Sequence, residues 1–140
     1  MKIEFHPIGT FYTDAETIPR HWSVSDVTGR IVIDKRYEAG LKSIKKGEKI
    51  IVLFHFHKSR GFDTAKLVQT PPHRGQAMGV FSICSPYRPN PIGLSVLAVT
   101  DINENVLYVK HADMIDGTPI IDIKPHIADK HECPSYTGNG

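Results

Sequence analysis

The chain has 140 residues, 40% hydrophobic and 23% charged, which describes one soluble globular domain with a real core and leaves too little for two ordinary ones. No stretch approaches the roughly 18 apolar residues of a membrane span, and Glu4 and His6 interrupt the N-terminus where a signal peptide would be apolar, so the cytoplasm is the default compartment. A net charge of +2 permits RNA as a partner without arguing for it.

Residues 3–12 alternate apolar and polar with Pro7 and Gly9 inside, the pattern of an edge strand with a bend or bulge. Residues 13–26 have no sustained period and read as a long loop, a type that is often functional. It carries Pro19-Arg20-His21-Trp22, in which Trp22 either closes the core or meets a ligand. Residues 29–34 form a β-rich run after a turn signal. Tyr37, Leu41 and Ile44 then recur at i, i+4 and i+7, which predicts one short helix or helical turn ending near Gly47 with its lysines on a solvated face.

Residues 50–56, I-I-V-L-F-H-F, are apolar on both faces and predict a central strand. At its end His55 and His57 point to one face and Phe54 and Phe56 to the other. An H-x-H pair offers a metal only two ligands, and the two cysteines, Cys84 and Cys133, make neither a disulfide framework nor a C-x-x-C pair. No metal is expected, and the histidines read as pocket-rim or core residues. His126, His131 and Cys133 in the tail are ligand types without a fourth partner.

A short strand is predicted over 65–69, flanked by loops whose Lys58, Arg60, His73 and Arg74 either converge with Arg88 as a basic patch or stand as unrelated exposed charges. Between the apolar runs 79–83 and 92–99 lies S-P-Y-R-P-N-P, with three X-Pro bonds at Ser85-Pro86, Arg88-Pro89 and Asn90-Pro91. Each proline fixes its own φ and pushes the preceding residue into extended geometry, so this loop is stiff. It is either the wall of a ligand site or a rigid turn between two strands. Residues 92–100 and 106–111 read as a hairpin turning at Asn103-Glu104-Asn105, and the last strand follows an Asp116-Gly117 turn. Asp113 and Asp116 lie three apart, so the turn can bring both carboxylates to one pocket, or Asp116 caps its own turn.

Eight or so short strands, one short helix and long loops predict an all-β chain, a single small closed or nearly closed β-barrel over 1–140 with a loosely ordered tail from 126. Phosphate-cradling, nucleophile-elbow and Rossmann motifs are absent from the sequence.

Three runs together are highly specific: Met78-Gly79-Val80-Phe81, Ser85-Pro86-Tyr87-Arg88-Pro89-Asn90-Pro91-Ile92-Gly93-Leu94-Ser95, and Asp113-Met114-Ile115-Asp116-Gly117-Thr118-Pro119 with Asp122-Ile123-Lys124-Pro125. They closely resemble the TsaA-like (TrmO) family, and the resemblance takes in Pro19-Arg20 and the Leu53 to Lys58 strand end. It implies a β-barrel methyltransferase, usually homodimeric, that binds S-adenosylmethionine outside the Rossmann fold and methylates N6 of the threonylcarbamoyl-modified adenosine at position 37 in the tRNA anticodon loop. It also implies cofactor contacts from Pro19, Arg20, His21, His57, Lys58, Leu94, Asp113, Met114, Ile115 and Asp116. Cys84, aligned with the family arginine before the S-P turn, is counted with them as a cofactor-contacting position. On this resemblance Leu94, Met114 and Ile115 enclose the adenine, Asp113 or Asp116 meets hydroxyl or amine groups, and Arg88 and Asn90 orient the substrate base or the cofactor carboxylate. That makes Arg88, Asn90 and Asp113 the candidate catalytic set. The C-terminal RNA-binding domain of bacterial members is expected to have no counterpart here. Two other readings are a cofactor-binding adaptor that needs a partner for RNA, and a metal hydrolase using His55, His57 and a tail histidine.

Overall fold

Strands whose inward residues are large and apolar pair side to side until the first meets the last. The computed structural model describes residues 1–129. Its strands are β1 (Gly9–Tyr12), β2 (Thr28–Ile33), β3 (Lys49–His55), β4 (Val68–Gln69), β5 (Met78–Gly79), β6 (Ile92–Asn103), β7 (Val106–Lys110) and β8 (Thr118–Pro125). Six of them close an antiparallel barrel in the order β1-β2-β7-β6-β3-β8, and β4 and β5 form a separate two-stranded ribbon. Closure leaves the barrel no open edge.

The interior follows from the period of two. Phe11, Ile31, Ile33, Ile50, Val52, Phe54, Leu97, Val99, Leu107, Val109 and Ile120 are buried, while their strand neighbours face out or pack partly. Two glycines are required by the close approach of aromatic rings. A Cβ on Gly93 would lie 2.2 Å from Cζ of Phe54, its cross-strand partner, and one on Gly29 would lie 2.4 Å from Cε1 of Phe11. Each glycine gives an aromatic ring room to lie across the sheet.

Several sequence expectations need correction. The strand over 3–12 is only Gly9–Tyr12, and it is no edge: it pairs with β2 on one side and β8 on the other, because closing the barrel supplies a second neighbour. The apolar run 79–83 is not a strand beyond Met78–Gly79. Val80–Ser82 is a 3₁₀ turn that buries Val80 and leaves Phe81 79% exposed. The strand expected over 65–69 is mostly a 3₁₀ turn, Thr64–Leu67, because Asp63 caps it by accepting from the Ala65 N–H at 2.9 Å. The short helix expected to end near Gly47 is a 3₁₀ helix of seven residues, Lys35–Leu41, capped by Asp34. Most of the tail assigned to 126–140, with His131 and Cys133, lies outside the described residues.

Candidate functional site

The C-terminal end of β3, the N-terminal end of β6 and the β7–β8 loop meet at one end of the barrel, under the β1–β2 loop. β3 and β6 pair as far as His55 and Ile92, and the Phe56 N–H then donates to the Pro91 carbonyl at 2.8 Å. Residues 56–91 are therefore one excursion that leaves and returns at a single point beside this end.

The β1–β2 loop is tied down over the β7–β8 loop. The Ser25 hydroxyl donates to the Ala112 carbonyl, the Ala112 N–H donates to the Val27 carbonyl at 3.0 Å, and Nδ1 of His111 bonds the Ser25 carbonyl at 2.8 Å. His111 takes a φ of 78° there, a left-handed conformation that costs a non-glycine residue and turns the chain toward Asp113. Nδ1 of His21 lies 2.6 Å from the Ser23 hydroxyl and the ring packs 5.0 Å from Trp22, which sets the 3₁₀ turn Trp22–Val24.

The proline-rich loop is braced from inside. Nη1 of Arg88 donates to the carbonyls of Ile83 and Ser85 at 3.0 and 3.1 Å, and the Tyr87 N–H donates to the Ser85 hydroxyl at 3.2 Å. Nε2 of Gln69 donates to the carbonyls of Tyr87 and Lys66, both at 2.7 Å, and the Lys66 ammonium lies 4.6 Å from the centre of the Tyr87 ring. The loop is held by its own polar groups as well as its prolines.

These elements enclose two adjoining cavities. The larger, about 610 Å³, is bounded by Arg20, His21 and Trp22, by Ile83, Cys84 and Arg88, and by Ile92, Gly93 and Leu94. The smaller, about 300 Å³, is bounded by Ile18 and Pro19, by His55, His57, Lys58 and Ser59, and by Tyr87, Met114, Ile115 and Thr118. Phe54, Phe56, Pro86 and Asp113 line both. The two rings meet edge to face at 5.1 Å and form a ridge between the lobes.

Asp113 stands at that junction. Ser95, fully buried on β6, donates its hydroxyl hydrogen bond to Oδ1 of Asp113. Burial pushes the Asp113 carboxyl above the ordinary aspartate value of 3.8, while the Ser95 hydrogen bond and the nearby His21 pull the other way.

Of the residues singled out in the sequence, Pro19, Arg20, His21, His57, Lys58, Cys84, Arg88, Leu94, Asp113, Met114 and Ile115 all line one lobe or the other. Two do not. Asn90 is exposed outside the cavity walls, and its carbonyl accepts from the Ile92 N–H at 2.7 Å. Asp116 is exposed, and its Oδ1 accepts from the Thr13 N–H at 2.9 Å, so the turn sends its carboxylate to β1 instead of beside Asp113. Sequence reasoning gave Ser95 no role beyond its place at the end of the Ser85–Ser95 run. A single serine at an inward position of an apolar run was the available signal. Phe54 and Phe56 were read only as the far face of the His55–His57 pair. Among the described residues no three His, Cys, Asp or Glu side chains converge as metal ligands, and no helix is long and apolar enough to cross a membrane.

The side chains suit S-adenosylmethionine by class. Apolar and aromatic walls accept an adenine ring, a half-buried carboxylate accepts hydrogen bonds from hydroxyl or amine groups, and Arg20 and Lys58 bring positive charge for a carboxylate.

Comparison with known proteins agrees. The family model of the tRNA-methyltransferase O N-terminal domain matches residues 7–131. The chain is 32% identical over 131 residues to a probable S-adenosyl-L-methionine-binding protein of Pyrococcus abyssi, covering 91% of this chain and 70% of that one. It is 38% identical over 123 residues to an S-adenosyl-L-methionine-binding protein of Archaeoglobus fulgidus, covering 86% of each. Against the mouse tRNA (adenine(37)-N6)-methyltransferase it is 41% identical over 92 residues, covering 66% of this chain and only 21% of the mouse protein. The barrel fold is that of TrmO from Pseudomonas aeruginosa, with a TM-score of 0.73 at 23% identity over 99% of this chain and 62% of that one. From its sequence and fold, the chain belongs to the tRNA-methyltransferase O N-terminal domain family.

Proposed function

We propose that this barrel binds S-adenosylmethionine across the two lobes and methylates N6 of the adenosine at position 37 of tRNA, with the threonylcarbamoyl-modified adenosine as its substrate. The observation that carries the reading is the placement of Asp113 at the junction of both lobes, under His21 and fixed by a buried serine. When bound, the cofactor supplies a methyl group on a sulfonium to a nucleophilic nitrogen.

Transfer of this kind is an in-line displacement, so the chain's task is mainly positioning. Phe54, Phe56, Leu94, Met114 and Ile115 exclude water and flank the adenine. Arg20 and Lys58 hold the carboxylate end. Asp113 accepts hydrogen bonds from a hydroxyl or amine, and its raised pKa suits it to take the proton the acceptor amine sheds. Arg88 acts by keeping the loop rigid. Of the candidate catalytic set, Asp113 and Arg88 line the cavity and Asn90 does not.

The archaeal relatives named only as cofactor-binding proteins favour a second reading, an adaptor that binds S-adenosylmethionine and relies on a partner for RNA. We assign the chain to the cytoplasm and to a homodimer. The apolar side chains of Met1, Ile3 and Phe5, all more than 60% exposed, support the dimer because a second copy would cover them.

Calorimetric titration with S-adenosylmethionine, followed by incubation with labelled cofactor and tRNA bearing either plain or threonylcarbamoyl adenosine, tests these readings. Stoichiometric binding with methyl incorporated only into the modified tRNA is expected. Binding without transfer to either tRNA would establish the adaptor reading, and no binding would overturn both.

A further inference from the structure

The excursion 56–91 carries Lys58, Arg60, Lys66, Arg74 and Arg88 against one acid, Asp63. Its net charge is +4 in a chain of net +2, so the remainder is −2. Among the described residues the ion pairs are Lys2–Glu4, Arg36–Asp34 and Lys124–Asp122, and none draws on this segment. Both ends of the excursion are walls of the lobes: Phe56 to Ser59 on the way out, and Ile83 to Arg88 on the way back.

Between those walls the segment runs along the outside and carries exposed apolar side chains that the barrel does not use. Phe81 is 79% exposed beside fully buried Val80, and Val68 and Leu67 are 59% and 40% exposed. An exposed ring anchored through a buried neighbour, in a segment that carries cations without ion pairs and whose two ends are cavity walls, has the chemistry of a single-stranded nucleic-acid platform: cations for phosphates and a flat face for a base.

We propose that residues 59–82 of the excursion are the RNA-docking surface of this chain, with Arg60 and Arg74 on phosphates and Phe81 stacked on an unpaired base, so that a neighbouring nucleotide reaches the two lobes. The assignment rests on the methyltransferase reading. Arg60, Arg74 and Phe81 line neither lobe, so their substitution separates RNA binding from cofactor binding.

The probe is a fluorescein-labelled RNA hairpin with a seven-nucleotide loop (roughly the size of an anticodon loop), titrated with the full chain at several salt concentrations, with S-adenosylmethionine affinity and sedimentation measured on the same samples. For Arg60→Glu with Arg74→Glu, hairpin affinity falls about tenfold or more and the salt slope shrinks by about 1 to 2, with cofactor affinity and thermal midpoint unchanged. Arg60→Gln with Arg74→Gln gives a smaller loss of the same sign. Phe81→Ala weakens the hairpin by roughly tenfold and Phe81→Trp retains it. Unchanged hairpin affinity in the glutamate variant, or no hairpin binding by the unsubstituted chain, overturns the assignment. So does a change of sedimentation coefficient in place of a change in RNA affinity, which would make this face a contact between copies. Hairpin binding that depends on these residues in a chain that takes up no S-adenosylmethionine would sustain the docking surface and defeat the methyltransferase reading.

Discussion

The Ser95 hydroxyl donates a hydrogen bond to Oδ1 of Asp113, joining the inward face of β6 to the β7–β8 loop. Ser95 has no exposed surface, so no water replaces it when it is removed. A hydrogen bond to a charged group contributes about 1.5–3 kcal/mol. Ser95→Ala is expected to lower stability by about that amount and to weaken S-adenosylmethionine about tenfold or more by freeing the carboxylate. Denaturant unfolding and calorimetric titration read the two effects separately. Lost stability with full cofactor affinity would assign the serine to packing alone.

The pH dependence of stability follows from the same carboxylate. Its folded-state pKa lies above the ordinary 3.8 because burial disfavours the charge. The folded state therefore holds the proton more tightly than the unfolded state, and the contribution of Asp113 is favourable in acid and is lost as pH rises through its folded value. Asp113→Asn removes this dependence. As pH rises above 3.8 the variant should gain in thermal midpoint relative to the unsubstituted chain while losing cofactor affinity. A midpoint difference that does not vary with pH would contradict the assignment.

Gly93 leaves the space in which the Phe54 ring lies. With a Cβ only 2.2 Å from Cζ, Gly93→Ala must push the ring aside. Overpacking of this kind costs about 1–3 kcal/mol. Because Phe54 lines both lobes, cofactor affinity should fall too. Adding Phe54→Leu should recover part of the stability, and a double-mutant cycle measures the coupling. Strict additivity would show that the ring is not what the glycine accommodates.

Arg88 holds the carbonyls of Ile83 and Ser85 across its own loop. Arg88→Ala is expected to raise amide exchange over residues 83–91 and to reduce cofactor affinity, with a loss of global stability of about 1–3 kcal/mol. Hydrogen exchange with mass detection localises the change. Affinity lost without faster exchange would mean that the guanidinium meets the ligand directly.

Asp116 is assigned to the backbone. Asp116→Asn keeps an acceptor for the Thr13 N–H and should leave stability and cofactor affinity nearly unchanged, whereas Asp116→Ala should cost about 1 kcal/mol. If asparagine abolishes cofactor binding, the carboxylate has a ligand role after all.

Much of the barrel was legible because its strands announce themselves by period. Ile50 to Phe56 and Ile92 to Val99 read correctly as strands that pair with each other, although β3 stops at His55 and Ile92 and Leu94 are exposed. The failures share a cause. Apolar runs such as 79–83 look like strands, yet β5 ends at Gly79 and Val80–Ser82 closes as a 3₁₀ turn in which the Ile83 N–H donates to the Val80 carbonyl. Edge status cannot be read locally, because β1 acquires its second partner, β8, from more than 100 residues away. Most of the cavity lining came from the resemblance and from the stiff proline loop. Ser95 escaped because a serine inside a strand gains its meaning only when the fold brings Asp113 beside it, and the two readings of Asp116 stayed open because a three-residue spacing does not fix which way a turn aims its side chains.

The single hydrogen bond from Phe56 to Pro91 closes the excursion at its base, just beyond the His55–Ile92 pair. The barrel's own strand ladder ends just short of this point and borrows no strand from the segment. Insertions closed in this way cost little per added residue, since loop-closure entropy grows only with the logarithm of length. The part of the segment between Ser59 and Ile83, which lines neither lobe, is thus an exchangeable cassette on a fixed chassis. Its length and charge can drift between lineages, or be rebuilt by grafting, to suit new substrates while the strands that seat Asp113 stay as they are.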